Sequence, residues 1–192
     1  MSSGEPGLDL EQAALLVIDV QCGAFDGRLC PPMPDGDALL AACRSAVDWA
    51  RQQQVPVFWI QHSEPGGPMD GPGFEIDPRL NPGPEEPRFT KTVPNAFEET
   101  SLAQALQNAG RSQPILIGLQ SDCCIEASTR GAQALGLQPR LVPDAHHTWP
   151  DRGLSAEALR DEISQALEHA GVALIPLPQL IRLTQPQTPP SA

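Results

Sequence analysis

The chain has 192 residues, 40% of them hydrophobic, enough for one domain with a substantial core. Its 24 acidic and 12 basic residues leave a net charge of -12. That balance excludes a nucleic-acid partner, which needs clustered Lys and Arg, and it sets the surface against anionic membranes.

The opening segment MSSGEPGLDLEQ has no basic or apolar region of signal-peptide type, and no apolar run approaches the length of a membrane span. Five cysteines in no regular framework point to reduced thiols in a cytoplasm. Cys22, Cys30 and Cys43 lack zinc-ligand spacing and read as small apolar fillers.

In chain order, AALLVID is a short apolar run ending in a carboxylate, Asp19. VPVFWIQ, QPILIGL, PRLVPDA and VALIPL follow as runs of similar type. They are rich in Val, Ile and Leu without alternation, as strands buried on both faces are. Helical patterns separate them. Between Asp37 and Gln54 the apolar positions Leu39, Leu40, Cys43, Val47 and Ala50 recur at helix spacing. TSLAQALQNAG reads as a helix with a capping box, Ser101 with Gln104, closed by Gly110. CIEASTRGAQALG and SAEALRDEISQALEHAG end in the same way, on Gly136 and Gly171. Strand and helix in alternation predict right-handed crossovers and a parallel sheet covered on both faces. Ligands then bind at the carboxyl ends of the strands, where Asp19, His62, Gln120 and Asp144 fall. The span from His62 to Lys91 is dense in Pro and Gly and is expected as an irregular wall or lid over that rim. Residues 1–183 read as a single domain, and 184–192 as a loose tail.

IGLQSDCCIEAS reads as strand, turn, helix, with Ser121 or Asp122 as the cap. Cys124 then lies in the first helical turn, where the dipole favours a thiolate. Cys123 points elsewhere, because successive helical residues differ by about 100° in direction. A thiolate needs a proton carrier and a positive charge. Asp19 and Lys91 are the candidates, with a turn cap and a solvated lysine as their plainer roles.

The segments LLVIDVQ with Asp19, FTKTVPNAF with Lys91, and GLQSDCCIEASTRGAQALG with Cys124 resemble the isochorismatase-like cysteine hydrolases. That superfamily includes nicotinamidase, N-carbamoylsarcosine amidase and streptothricin hydrolase. Gly118, Ser121, Asp122, Cys124 and Ile125 match its nucleophile pattern, with Ser121 in place of Thr, and Cys123 falls in a variable slot. The resemblance runs from about Ala13 to Leu177. It implies an α/β fold, a three-layer α/β/α sandwich with a six-stranded parallel sheet. It also implies a catalytic triad of Asp19, Lys91 and Cys124, with an oxyanion hole from the backbone of Gln120 and Cys124 and a cis Leu119–Gln120 bond.

The metal-binding Asp-x-His segment of nicotinamidases is missing: WIQHSEPGG has His62 alone. No metal and no other cofactor is therefore expected. The cysteine disfavours the vinyl-ether chemistry of the isochorismatases proper. His62, Phe25 and Trp149 are candidates for substrate contact, or for rim and core packing, and His146 and His147 read in the same two ways. The expected function is metal-independent hydrolysis of a C–N bond in a small amide, ureide or lactam, through a thioester, by a cytoplasmic homo-oligomer (dimer or tetramer). A non-catalytic ligand-binding or scaffold member of the fold is the rival, and a nicotinamidase-type amidase a further alternative.

Overall fold

Strand β1, Ala13–Ile18, is buried at every position. Leu15 and Val17 pack into one hydrophobic cluster, and Ala14, Leu16 and Ile18 into another on the opposite face. This is the period-2 geometry of a strand with both faces covered. Each fully buried Leu or Ile contributes roughly 1.5–3 kcal/mol. The computed structural model describes residues 7–184, so the tail expected from Thr184 onward lies almost wholly outside the described residues.

Helix α1, Gly36–Gln52, follows β1 and leads to β2, Val57–His62. Next come β3, Arg88–Lys91, α2, Leu102–Asn108, and β4, Gln113–Leu119. A π-type turn at Ser121–Ile125 runs into α3, Glu126–Ala134. The chain continues through β5, Arg140–His147, α4, Ala156–His169, β6, Ala173–Leu174, and a short α5, Leu177–Leu180. The sheet order is β3-β2-β1-β4-β5-β6, and every pairing is parallel. Leu39, Val47 and Leu180 pack on one face, and Leu102, Leu106, Ile125, Leu159 and Leu167 on the other. This is the three-layer α/β/α sandwich with six parallel strands.

Three local expectations are corrected. The segment from His62 to Lys91 is not wholly irregular: its end forms edge strand β3, and 3-10 turns at Gly71–Phe74 and Pro78–Leu80 break the rest. Its anchors are Arg51 and Trp59, whose side chains donate to Glu86 at 2.8 and 2.7 Å. Ser101 makes no side-chain cap bond, since Gln104 turns to Gln107 and Asn108 and Thr100 Oγ1 accepts from the Leu102 N–H instead. Neither Ser121 nor Asp122 caps α3: Ser121 Oγ lies 2.8 Å from His146 Nδ1, and Asp122 accepts from Thr148 Oγ1.

The strand order reverses between β1 and β4, the switch point where a crevice opens beyond the strand ends. Gly118 lets these two strands meet there. Its φ is +118°, and a Cβ would stand 2.0 Å from the Ile18 carbonyl oxygen.

Candidate active site

Asp19 is the first residue past β1. Its φ of 54° is a left-handed conformation that Asp tolerates, and its N–H donates to the Ile60 carbonyl at 2.9 Å. Lys91 ends β3, two strands away, where it pairs in register with His62 at the end of β2. Neighbouring strands lie about 4.8 Å apart, so only a long side chain crosses β2 to reach β1. Lys91 does so fully buried, at 1% exposure.

The Lys91 ammonium has three near neighbours. It donates to Asp19 Oδ2 at 2.8 Å and to Cys124 Sγ at 3.1 Å, and it lies 3.2 Å from His62 Nδ1. Three ammonium protons thus face three acceptors. The other Asp19 oxygen, Oδ1, is buried without a hydrogen-bond partner. Burial, and then the charge on Cys124, hold the Asp19 carboxyl well above the usual carboxylate range, against the pull of Lys91. Burial works to lower the Lys91 pKa, but Asp19 and Cys124 outweigh it and the net shift is upward.

The two adjacent thiols lie 3.9 Å apart, with Cys124 Sγ donating towards Cys123 Sγ. That contact, followed by burial, raises Cys124, while Lys91 and Asp19 lower it. The same contact brings Cys123 down to about 7. The pair therefore favours one negative charge near neutral pH, a property of both sulfurs together. Only Cys124 has the ammonium at contact distance, so Cys124 is the sulfur placed to form an ion pair with Lys91 once it loses its proton.

A cavity of about 970 Å³ opens over this group, within the size range of small-molecule sites. Asp19, His62, Gln120, Cys123, Cys124 and Trp149 line it, as do Cys30 and a set of prolines. Pro68 and Met69 bring the long segment after β2 into the wall. The Leu119–Gln120 bond at its floor is cis. Trp149 Nε1 donates to the Pro31 carbonyl at 2.8 Å, which fixes the indole against the cavity's proline side. Among the described residues no three or more His, Cys, Asp or Glu side chains are grouped to hold a metal ion. The cation facing Asp19, His62 and Cys124 is the lysine itself.

Sequence reasoning placed Asp19, His62, Lys91, Gln120, Cys124 and Trp149 at one site, and the fold brings all six together. Phe25 is a correction. It is not among the residues lining the cavity; its ring packs against the core on the α1 side, with the Arg79 guanidinium 5.5 Å above it. Asp144 also leaves the rim, for its carboxylate accepts from the Leu177 N–H at 2.7 Å. Gln21 was missed, and His146, weighed above for substrate contact or packing, is buried outside the cavity lining. Gln21 accepts from the His62 N–H at 2.7 Å and donates to the His62 and Phe74 carbonyls at 3.0 and 2.8 Å. His146 pins Ser121 of the π turn to Ser164 of α4. An amide two residues past a strand-end carboxylate, in LLVIDVQ, was the available signal for Gln21.

The isochorismatase domain family matches residues 13–170. The chain is 33% identical over 139 residues to a streptothricin hydrolase of Streptomyces noursei, across 71% of this chain and 54% of that protein. It thus spans about half the length of that relative. It is also 33% identical over 138 residues to an uncharacterized isochorismatase family protein of Bacillus subtilis (strain 168), across 69% of this chain and 76% of the other. The crystal structure of an isochorismatase from Pseudomonas putida KT2440 superposes with a TM-score of 0.78 at 25% identity, over 91% of this chain and 92% of that one. A family match across most of the chain, joined to this strand order, makes the protein a member of the isochorismatase family of hydrolases.

Proposed function

We propose that this protein hydrolyses a C–N bond of a small amide, ureide or lactam, with Cys124 as nucleophile and without a metal. The observation that carries this reading is one buried ammonium bridging a carboxylate at 2.8 Å and a thiol at 3.1 Å in the wall of a ligand-sized cavity. A scaffold or binding protein gains nothing from that arrangement, because an ion pair out of water is costly to maintain.

In the proposed cycle Asp19 takes the Cys124 proton and Lys91 holds the resulting thiolate. The sulfur attacks the carbonyl carbon, and the backbone N–H groups of Gln120 and Cys124 are the donors assigned to the oxyanion. As the C–N bond breaks, Asp19 returns the proton to the leaving nitrogen. Water, deprotonated by Asp19, then opens the thioester and the acid product leaves. One proton moves between Asp19 and Cys124 beside a fixed positive charge, so the cluster's net charge is unchanged by that transfer.

The test is release of ammonia or amine from a panel of small amides. Cys124→Ala should abolish turnover while Cys123→Ala retains most of it, and dialysis against a strong chelator should leave the rate unchanged. Equal loss in both folded variants overturns the nucleophile assignment, and activity restored only by added zinc, iron or manganese overturns the metal-free reading.

A further inference from the structure

His62 lies against the Lys91 ammonium, and that contact determines where its proton sits. An ammonium carries three N–H donors and no lone pair. At 3.2 Å from Lys91 Nζ, His62 Nδ1 can take part only as an acceptor. The imidazole is then neutral, with its single proton on Nε2. A second proton on Nδ1 would aim an N–H at the ammonium and place two positive charges in contact.

The charged groups facing His62 agree with this. Burial and then Lys91 lower its pKa, and together they outweigh Asp19 and Glu64, which raise it. The residue is also held in place. Gln21 binds both its backbone N–H and its carbonyl, and Lys91 tethers the ring. The ring lines the cavity, and Nε2 has no partner among the described residues.

We propose that Lys91 locks His62 as the uncharged Nε2–H tautomer, and that this N–H is a fixed donor to an uncharged acceptor atom of the substrate beside the scissile carbonyl. The substrate half of this statement rests on the amide-hydrolase reading; the tautomer half does not. The rest of the wall narrows the substrate class. Among the described residues, the prolines lining the cavity have no N–H to offer, no arginine lines it, and its carboxylates are Asp19 and Glu64. The Lys91 protons are already engaged. A substrate carboxylate placed next to His62 would meet a thiolate and two acids with no free cation, and an unpaired buried charge is strongly disfavoured. A carbonyl, hydroxyl or ring nitrogen carries no such penalty. The class is an amide with a second, uncharged acceptor next to the reacting carbonyl, such as an imide, a ureide or a hydroxy amide.

Two measurements decide it. Ring nitrogen NMR of the whole protein labelled with 15N-histidine, with His62 assigned by its loss in His62→Gln, should show an Nε2–H tautomer that persists as pH falls through the ordinary histidine value of 6.5. In Lys91→Met the tautomers should mix and the ring should titrate nearer that value. An Nδ1–H tautomer or an imidazolium in the wild type at neutral pH overturns the lock.

The second measurement compares kcat/KM for matched amides with the neighbouring acceptor, without it, and with a carboxylate in its place. In His62→Leu the preference for the acceptor-bearing amide should fall roughly tenfold, the scale of one lost hydrogen bond. His62→Asn, which keeps an N–H donor, should recover part of it. An unchanged preference in His62→Leu, or a wild-type preference for the carboxylate, overturns the substrate half. If no amide is turned over at all, the hydrolase reading and this half fall together, while the NMR result still decides the tautomer.

Discussion

Cys123 and Cys124 share one hydrogen bond and one cavity wall, so neither can be changed without shifting the other. Cys124 is raised first by its contact with Cys123. Removing that contact in Cys123→Ala leaves burial as the main effect opposing Lys91, and the alkylation profile of Cys124 should move to lower pH. In Cys124→Ala the remaining Cys123 loses the bond that pulls it down to about 7, so its alkylation should move to higher pH. The other thiols do not obscure this. Burial raises Cys22 and Cys30, and raises Cys43 to about 12, so fast labelling near neutral pH reports the pair. Mass spectrometry of iodoacetamide-treated protein across pH gives the result. A Cys124 profile that moves upward in Cys123→Ala would mean that Cys123 donates to a Cys124 thiolate instead of raising it, and would overturn the direction of the contact.

At the scale of elements, the site depends on strand ends meeting at a fixed height. Gly118 shows how narrow the fit is. An alanine there would take φ of +118° with its Cβ against the Ile18 carbonyl at 2.0 Å, and neither is relieved without parting β1 from β4. Gly118→Ala should cost about 3 kcal/mol or more, read as a lower urea midpoint at unchanged slope; a loss under about 1 kcal/mol would show that the strands yield easily.

β1, β2 and β4 were legible in the sequence because each is a largely apolar run, which a doubly covered strand requires; β5 showed only in its RLV start, since Pro143, Asp144 and two histidines follow. β3 was not: RFTK is short, largely exposed on the sheet edge, and preceded by prolines that mark a loop. The helix caps misled for a related reason. Ser121 and Asp122 have the chemistry of caps, but partners from β5 and the residue after it, His146 and Thr148, compete for them in three dimensions. Asp19 and Cys124 were candidates from a strand end and a helix start, and the resemblance singled them out. That Lys91 is buried was not, because nothing in FTK shows that its side chain crosses a neighbouring strand.

For the whole molecule, acid stability is set from inside. With a net charge of -12, moderate acidification lowers surface self-repulsion, so destabilisation must come from groups that cannot accept a proton while folded. His146 is the chief one. It is 1% exposed, between Ser121 Oγ at 2.8 Å and Ser164 Oγ at 3.1 Å. Ser164 gives its own proton to the Arg160 carbonyl, so it accepts from Nε2–H, and Ser121 donates to Nδ1. The ring is therefore satisfied only when neutral. Burial first, then Arg160 and His147, lower its pKa from 6.5 to about 3. A folded pKa below the unfolded value means that the unfolded chain binds the proton first as pH falls. The stabilisation is complete above about pH 6.5 and is lost progressively towards pH 3, by up to roughly 1.4 kcal/mol per unit. Asp19 acts in the opposite sense, since its pKa is raised in the folded state, so the wild-type curve alone does not isolate His146. The difference from His146→Gln does, because that side chain retains polar atoms but does not titrate. The variant should be less stable at pH 7, and its deficit should shrink steadily as pH falls to about 3. Urea unfolding at several pH values tests this: two parallel curves would mean that His146 takes its proton within the fold, and that acid opens the molecule elsewhere.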